Sequence, residues 1–196
     1  MNWLDELLAG VETVAIGGHI RPDGDCVGSC LGLKNYIMEN YPVKNVEVFM
    51  ETPSKVFSYL KGFDDICSDF STNNQYDIFF ALDCGDTERL GDAYRIFENA
   101  GKTVCIDHHI SNTGYGNVNR IDGAIGSTCE ILFDLMEKDK ISQARIIRKV
   151  YLQICISRSC TGLAGELRRY VYEETFGGTF ACFCATAVLC SCRRYG

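Results

Sequence analysis

The chain predicts an α/β fold, a mostly parallel sheet with helices on both faces. Three observations carry this. Short apolar runs alternate with stretches of helical periodicity. The run Ile78-Phe79-Phe80-Ala81-Leu82 is apolar at every position, the pattern of a strand covered on both faces. Three apolar runs end directly in acidic or histidine clusters, at His19 to Asp25, Asp83 to Asp86 and Asp107 to His109. Right-handed crossovers put the carboxyl ends of such strands along one edge, where open α/β sheets bind ligands.

The elements follow in order. Residues 3–8 read as a short helix and 12–17 as a strand. Val27, Leu31, Leu33, Tyr36 and Ile37 recur at helical spacing, which predicts a helix over 25–39. Residues 45–50 are the next strand, and 53–60 a helix with Pro53 near its start. A strand over 77–82 precedes a helix over 93–99, which Gly101 stops. Residues 102–106 are a strand. A helix over 127–138 closes the series, with Ser127 as N-cap and Glu130 completing a capping box.

Length and charge bound the function. The 196 residues hold one domain, or one domain and a fragment. No apolar run reaches the length of a membrane span, so no membrane partner is expected. The first ten residues carry two acids and no base, unlike a signal peptide. Twelve cysteines without an export signal indicate a reduced, cytoplasmic chain. A net charge of −7 argues against coating long duplex nucleic acid and leaves room for one small basic pocket.

The composition changes near Gln143. Up to that residue there are 11 Lys and Arg against 23 Asp and Glu, and from Ala144 onward 8 against 3. The later stretch has no Asp, Asn, Pro or His and holds half the cysteines. The chain is therefore divided into residues 1–143 and a Cys- and Arg-rich tail, 144–196.

The three clusters suggest one metal site. His19, Asp23, Asp25, Asp83 and His108 offer imidazole nitrogen and carboxylate oxygen, a set that suits Mn²⁺, with Mg²⁺, Fe²⁺ or Co²⁺ as alternatives. A central carboxylate such as Asp83 can bridge two ions, an arrangement used for in-line attack on phosphorus. Ser29 and nearby backbone N–H groups stand at the start of the following helix, where an anion is favoured. Each feature also has a structural reading: Asp23 and Asp25 suit a helix cap, Asp83 and Asp86 a turn, and His108-His109 a surface pair. Cys26, Cys30, Cys84, Cys105 and Cys129 read as small core hydrophobes.

Three ordered motifs resemble those of the DHH phosphoesterases: residues 18–29 (GHIRPDGDCVGS), Asp83-Cys84-Gly85-Asp86 and Asp107-His108-His109. The first motif is similar to that of the nanoRNase branch, the bifunctional oligoribonuclease and 3′-phosphoadenosine-5′-phosphate (pAp) phosphatases. The resemblance covers about three quarters of the chain and implies a sheet of about five strands. It implies Mn²⁺-dependent hydrolysis of very short RNA, linear dinucleotides such as pApA, and pAp. It also implies that His19, Asp23 and Asp83 hold one ion, and Asp25, Asp83 and His108 a second. His109 would contact the scissile phosphate, and Asp107 would orient the histidine pair.

The chain departs from this pattern late. No Asp follows Asp139, and Cys160-Thr161-Gly162 stands where the family places an Asp. Gly177-Gly178 has no His after it, so the second, substrate-gripping domain of the family is expected to be absent. Three accounts of the tail are open: an out-of-frame stretch, a zinc-binding tail using Cys182, Cys184, Cys190 and Cys192, or a divergent docking segment carrying Phe176, Phe180 and Phe183. Two alternatives stand beside the phosphoesterase. One is a non-catalytic remnant that binds nucleotide or metal. The other is a manganese-dependent pyrophosphatase, which shares part of the layout. Exposed apolar sheet edges would favour self-association, including a homodimer.

Overall fold

A computed structural model describes residues 3–137. The order is α1 (Trp3–Leu8), β1 (Thr13–Gly17), α2 (Gly24–Asn40), β2 (Asn45–Phe49), β3 (Ile66–Cys67), β4 (Ile78–Leu82), α3 (Tyr94–Glu98), β5 (Lys102–Asp107), β6 (Val118–Ile121) and α4 (Thr128–Glu137). The strands form one sheet in the order β3-β2-β1-β4-β5-β6, and every neighbouring pair is parallel. The chain builds outward from β1 through β2 to β3. It then returns to the other side of β1 and builds outward again from β4 to β6. The reversal opens a crevice at the carboxyl ends of β1 and β4, the usual ligand position in such sheets.

Alternation along the strands divides the core in two. Val14, Ile16, Ile78, Phe80, Leu82, Val104 and Ile106 pack in one cluster with Leu4 of α1, Leu31 of α2 and Leu132 of α4. Ala15, Phe49, Phe79 and Ala81 pack in the other with Leu90, Ala93, Ile96 and Phe97. Phe79 and Phe97 meet edge to face, 5.4 Å between ring centroids. Helices therefore cover both faces, as the continuous apolar run of β4 requires. The first turns of α2 are buried on all sides, Asp25 and Ser29 included, because the helix lies between the sheet and α4.

Four local expectations change. The helix expected over 53–60 is a three-residue 3₁₀ turn, Lys55–Phe57, capped by the Ser54 side chain. Val56 and Tyr59 stay exposed and only Pro53, Leu60 and part of Phe57 turn inward, too little to bury a continuous helical face. The helix expected over 93–99 shortens to Tyr94–Glu98. It follows a 3₁₀ segment, Glu88–Ala93, that kinks at Gly91 with φ of 55°. Strands β3 and β6 were not expected, so the described residues form six strands rather than about five.

The six cysteines of the described residues are free, and all but Cys67 are fully buried, in keeping with their reading as core residues. Among the described residues no helix is long and apolar enough to cross a membrane. The expectations for Lys138 and for residues 144–196 lie outside the described residues.

Candidate metal centre

The crevice begins where β1 runs into Gly17-Gly18. A Cβ on Gly18 would lie 2.2 Å from Cys26 Sγ and 3.2 Å from Cys30 Sγ. Only glycine lets the His19 loop rest on the first turn of α2. We expect Gly18→Ala to destabilise the chain by about 1–3 kcal/mol and to weaken cation binding, since the turn carrying Asp23 and Asp25 must move. Thermal melting and a Mn²⁺ titration of the variant check this. Unchanged values in both would show that the loop has slack.

His19 is nearly buried, and its Nδ1 lies 2.7 Å from the Ile20 carbonyl oxygen. A carbonyl only accepts, so Nδ1 carries the proton and Nε2 keeps its lone pair. Nε2 faces Asp23 Oδ1 at 3.8 Å and Asp83 Oδ2 at 3.7 Å. Burial alone would lower the His19 pKa. The Asp23 contact, the Ile20 carbonyl and the Asp83 charge outweigh it and raise the value.

Asp23 is also the N-cap of α2, with Oδ1 accepting from the N–H groups of Asp25 (2.9 Å) and Cys26 (3.1 Å). The His19 contact first, with those N–H groups, holds its carboxyl well below the usual range. Asp23 caps the helix and at the same time keeps its carboxylate facing His19, so the capping and ligand readings are compatible.

Asp83 sits at the end of β4 in a left-handed backbone conformation, φ 55°. Arg21, on the facing loop, is the other non-glycine residue with positive φ among those described. Sparsely populated backbone of this kind gathers at functional sites. Asp83 Oδ1 accepts from Thr128 Oγ1–H at 2.9 Å, and lies 3.4 Å from His108 Nε2 and 4.0 Å from His109 Nδ1. Its ion-pair partners are all imidazoles. Burial first, then the charge of Asp25, pushes its pKa up to about 7. Asp25, buried in α2, accepts at both oxygens from the first turn of α4. The Thr128 and Cys129 N–H groups each donate at 3.1 Å, and His108 Nε2 stands 3.6 Å away.

At the end of β5, Asp107 is fully buried. Its Oδ1 accepts from the His108 N–H (2.9 Å) and from His109 Nδ1 (2.7 Å). That leaves His109 Nε2 without the proton in the neutral ring, on a side chain still 35% exposed.

The structure therefore gathers His19, Asp23, Asp25, Asp83, Asp107, His108 and His109 in one crevice. Two groups of ligating atoms lie within 4.8 Å of one another, His19 with Asp23 and Asp83, and Asp83 with His108 and His109. The expected second set, Asp25, Asp83 and His108, also lies together, with His108 Nε2 3.4 Å from Asp83 Oδ1 and 3.6 Å from Asp25 Oδ2, while α4 backbone N–H groups donate to both oxygens of Asp25. The donor set fits a divalent cation. Nε2 of His19 is aimed between carboxylates, and Asp83 and Asp25 stand close enough that burial disfavours the charge on Asp83. Hard oxygen with borderline nitrogen is the chemistry of Mn²⁺ and its neighbours.

Ser29 is not part of the gathering. It is fully buried, and its hydroxyl donates to the Cys26 carbonyl at 3.0 Å, so the serine expected to meet a substrate serves the helix instead. Thr128 and Asn112 were not expected. Ser127 drew the attention as N-cap and does accept from the Glu130 N–H at 3.1 Å. The capping pattern of residues 127–130 was the available signal for Thr128.

Comparison with known proteins agrees with this geometry. Residues 13–157 match the DHH family, N-terminal domain. The chain is 26% identical over 166 residues to the bifunctional oligoribonuclease and PAP phosphatase NrnA of Bacillus subtilis, covering 84% of this chain and 49% of that one. It is 28% identical over 173 residues to a probable bifunctional oligoribonuclease and PAP phosphatase NrnA of Streptococcus mutans, covering 86% and 50%. The chain thus spans about half the length of the curated relatives it matches. A crystal structure of an exopolyphosphatase-related protein from Bacteroides fragilis superposes with a TM-score of 0.67 at 17% identity, covering 90% of this chain and 59% of that one, and shares the fold. The family match spans most of the chain, including all three residue clusters of the crevice, and the chain belongs to the DHH family.

Proposed function

We propose that the chain carries the catalytic domain of a metal-dependent phosphoesterase acting on short oligoribonucleotides, linear dinucleotides and pAp. One observation carries the reading: the Asp83 carboxylate is common to both groups of ligating atoms, at the switch point of a parallel sheet. The names of the curated relatives, oligoribonuclease and PAP phosphatase, support the oligoribonucleotide and pAp parts of the reading.

In this reading His19, Asp23 and Asp83 hold one Mn²⁺, and Asp83 with His108, backed by Asp25, holds a second. When bound, the ions supply an activated water and neutralise charge at phosphorus. Asp107 fixes the His109 ring through Nδ1, so that the ring would present Nε2 to a phosphoryl oxygen. Thr128 Oγ1–H holds Asp83, and the Thr128 and Cys129 N–H groups hold Asp25, so both carboxylates are set against α4 before substrate arrives. Buried free thiols beside the site favour a reducing, cytoplasmic setting. We assign residues 1–143 to this domain, with the family match running on to residue 157, and treat the stretch beyond it as an out-of-frame or divergent tail.

The purified chain with Mn²⁺ is expected to bind two ions and to hydrolyse pApA or pAp in preference to pyrophosphate. His108→Ala is expected to drop the count from two ions to one, while Asp83→Ala loses both. Calorimetry with elemental analysis gives the count. A preparation that binds no metal, or whose turnover ignores Asp83, ends the reading. Two ions bound without turnover would favour a non-catalytic remnant, which the absence of any Asp after Asp139 supports. Preference for pyrophosphate would move the chain to the pyrophosphatase reading.

A further inference from the structure

We propose that Asn112 is a positioning residue that ties His109 to the Asp83 turn. The inference rests on the reading above for its catalytic meaning and on geometry for everything else. Asn112 lies on the loop after β5 and is nearly buried. Its backbone N–H donates to the His109 carbonyl at 3.1 Å. Its Nδ2 donates to Asp107 Oδ2 at 2.8 Å and to the Cys84 carbonyl at 3.1 Å, and lies 3.4 Å from Cys105 Sγ. Its Oδ1 accepts from the Gly114 N–H at 2.8 Å. The amide has one orientation that works. A carboxylate and a carbonyl surround the end that must donate, and an N–H faces the end that must accept.

The consequence runs in two directions. Asp107 is fully buried, and one of its oxygens is already occupied by His108 N–H and His109 Nδ1. Asn112 satisfies the other oxygen. Without it, a buried carboxylate oxygen loses its donor and the carboxylate is free to turn. A turned carboxylate no longer fixes the His109 ring through Nδ1. On the other side, Cys84 directly follows Asp83, whose backbone is left-handed. The Cys84 carbonyl accepts from Asn112 and from Tyr115 Oη–H at 2.8 Å, which holds that turn in place. One side-chain amide thus sets the distance between the shared carboxylate and the histidine expected to meet the phosphate. A residue filling space alone would not need two donors aimed at two separate strand ends.

The test uses the metal-free full chain labelled with ¹⁵N histidine, at a pH where the rings are neutral. The sequence has three histidines, so the imidazole spectrum is simple. In the unsubstituted chain His109 and His19 should both show the Nδ1–H tautomer. Asn112→Ala should move His109 to a mixture of tautomers and leave His19, held by the Ile20 carbonyl, as it was. Persistence of the Nδ1–H tautomer at His109 overturns the proposal. Should the His19 signature vanish as well, Asn112→Ser takes the same reading with one hydroxyl donor kept. Loss of both signatures there too would mean that Asn112 serves the fold alone, which also overturns it. Neither metal nor substrate enters this experiment, so its failure is separate from any failure of the phosphoesterase reading. In an active preparation the same variant should lower kcat about 10–100-fold with little change in KM.

Discussion

Asp83→Asn is expected to abolish cation binding and turnover while raising the melting temperature of the metal-free chain. Asp83 is buried, its oxygens face His19, His108 and His109, and both groups of ligating atoms include it. An amide oxygen is a much weaker ligand than a carboxylate and cannot balance cationic charge. Loss of the shared ligand should cost more than about a thousandfold in rate. The same charge is unfavourable when no cation is present, since burial and Asp25 oppose its ionisation. Asparagine keeps the shape, can still accept from Thr128 Oγ1, and tolerates the left-handed backbone better than most residues. We expect a gain of about 1–3 kcal/mol at pH 8. Calorimetric melting beside the activity assay reads both effects. A variant that melts lower at that pH would show that the charge is not a source of instability.

The metal-free protein is expected to lose stability as the pH rises from about 4 to about 7. The sign follows from Asp83. Its folded-state pKa is pushed up to about 7 from an ordinary 3.8, so the folded chain holds that proton more tightly than the unfolded chain. The associated stability is fully present below the unfolded value and is lost as the pH passes through the folded one. Three pKa units amount to something on the order of 4 kcal/mol. His19, also raised, adds in the same direction. Asp23 is lowered, so its contribution is lost only in acid, outside this window. Saturating Mn²⁺ should remove the trend, because ion and proton compete for the same carboxylate. Melting curves across this range, with and without Mn²⁺, decide the matter. A flat metal-free profile would count against a strained carboxylate at this position.

The main architecture was readable from residue pattern because it depends on burial. The run at Ile78–Leu82 and the spacing of Val27, Leu31 and Ile37 announce their elements directly. The missed strands, Ile66–Cys67 and Val118–Ile121, lie at the sheet edges. One has two residues and the other exposes Asn119 and Arg120, so neither carries an apolar signature. The segment at 53–60 failed for the opposite reason. Val56, Phe57, Tyr59 and Leu60 have helical spacing, yet only Leu60 among them is buried. The seven crevice residues were legible because each lies within two residues of a strand's carboxyl end or at the start of a helix. Thr128 acts through a hydrogen bond to Asp83, 45 positions away, and Asn112 through bonds to Cys84, 28 away, and Asp107, five away; the capping pattern at 127–130 pointed toward Thr128, and nothing local marked the amide. Ser29 was misplaced for a related reason. A helix start suggested an anion, and the depth at which that helix is buried cannot be read from its own residues.

The hydrogen bond from the Cys129 N–H to Asp25 Oδ1 spans 104 positions. Its consequence concerns the order of events during synthesis. β1 is a central strand, but its partner β4 is made more than sixty residues later, as the pairing of Val14 with Ile78 requires. A nascent chain that has emerged only through β2 has one side of β1 unpaired and two ligand residues without counterparts. The site cannot form until α4 has cleared the ribosome. Such long-range pairing slows folding and leaves an apolar sheet edge open in the meantime. An event that halts or diverts translation between residues 107 and 129 therefore yields a chain with its acids made and no α4 to hold Asp25 in place.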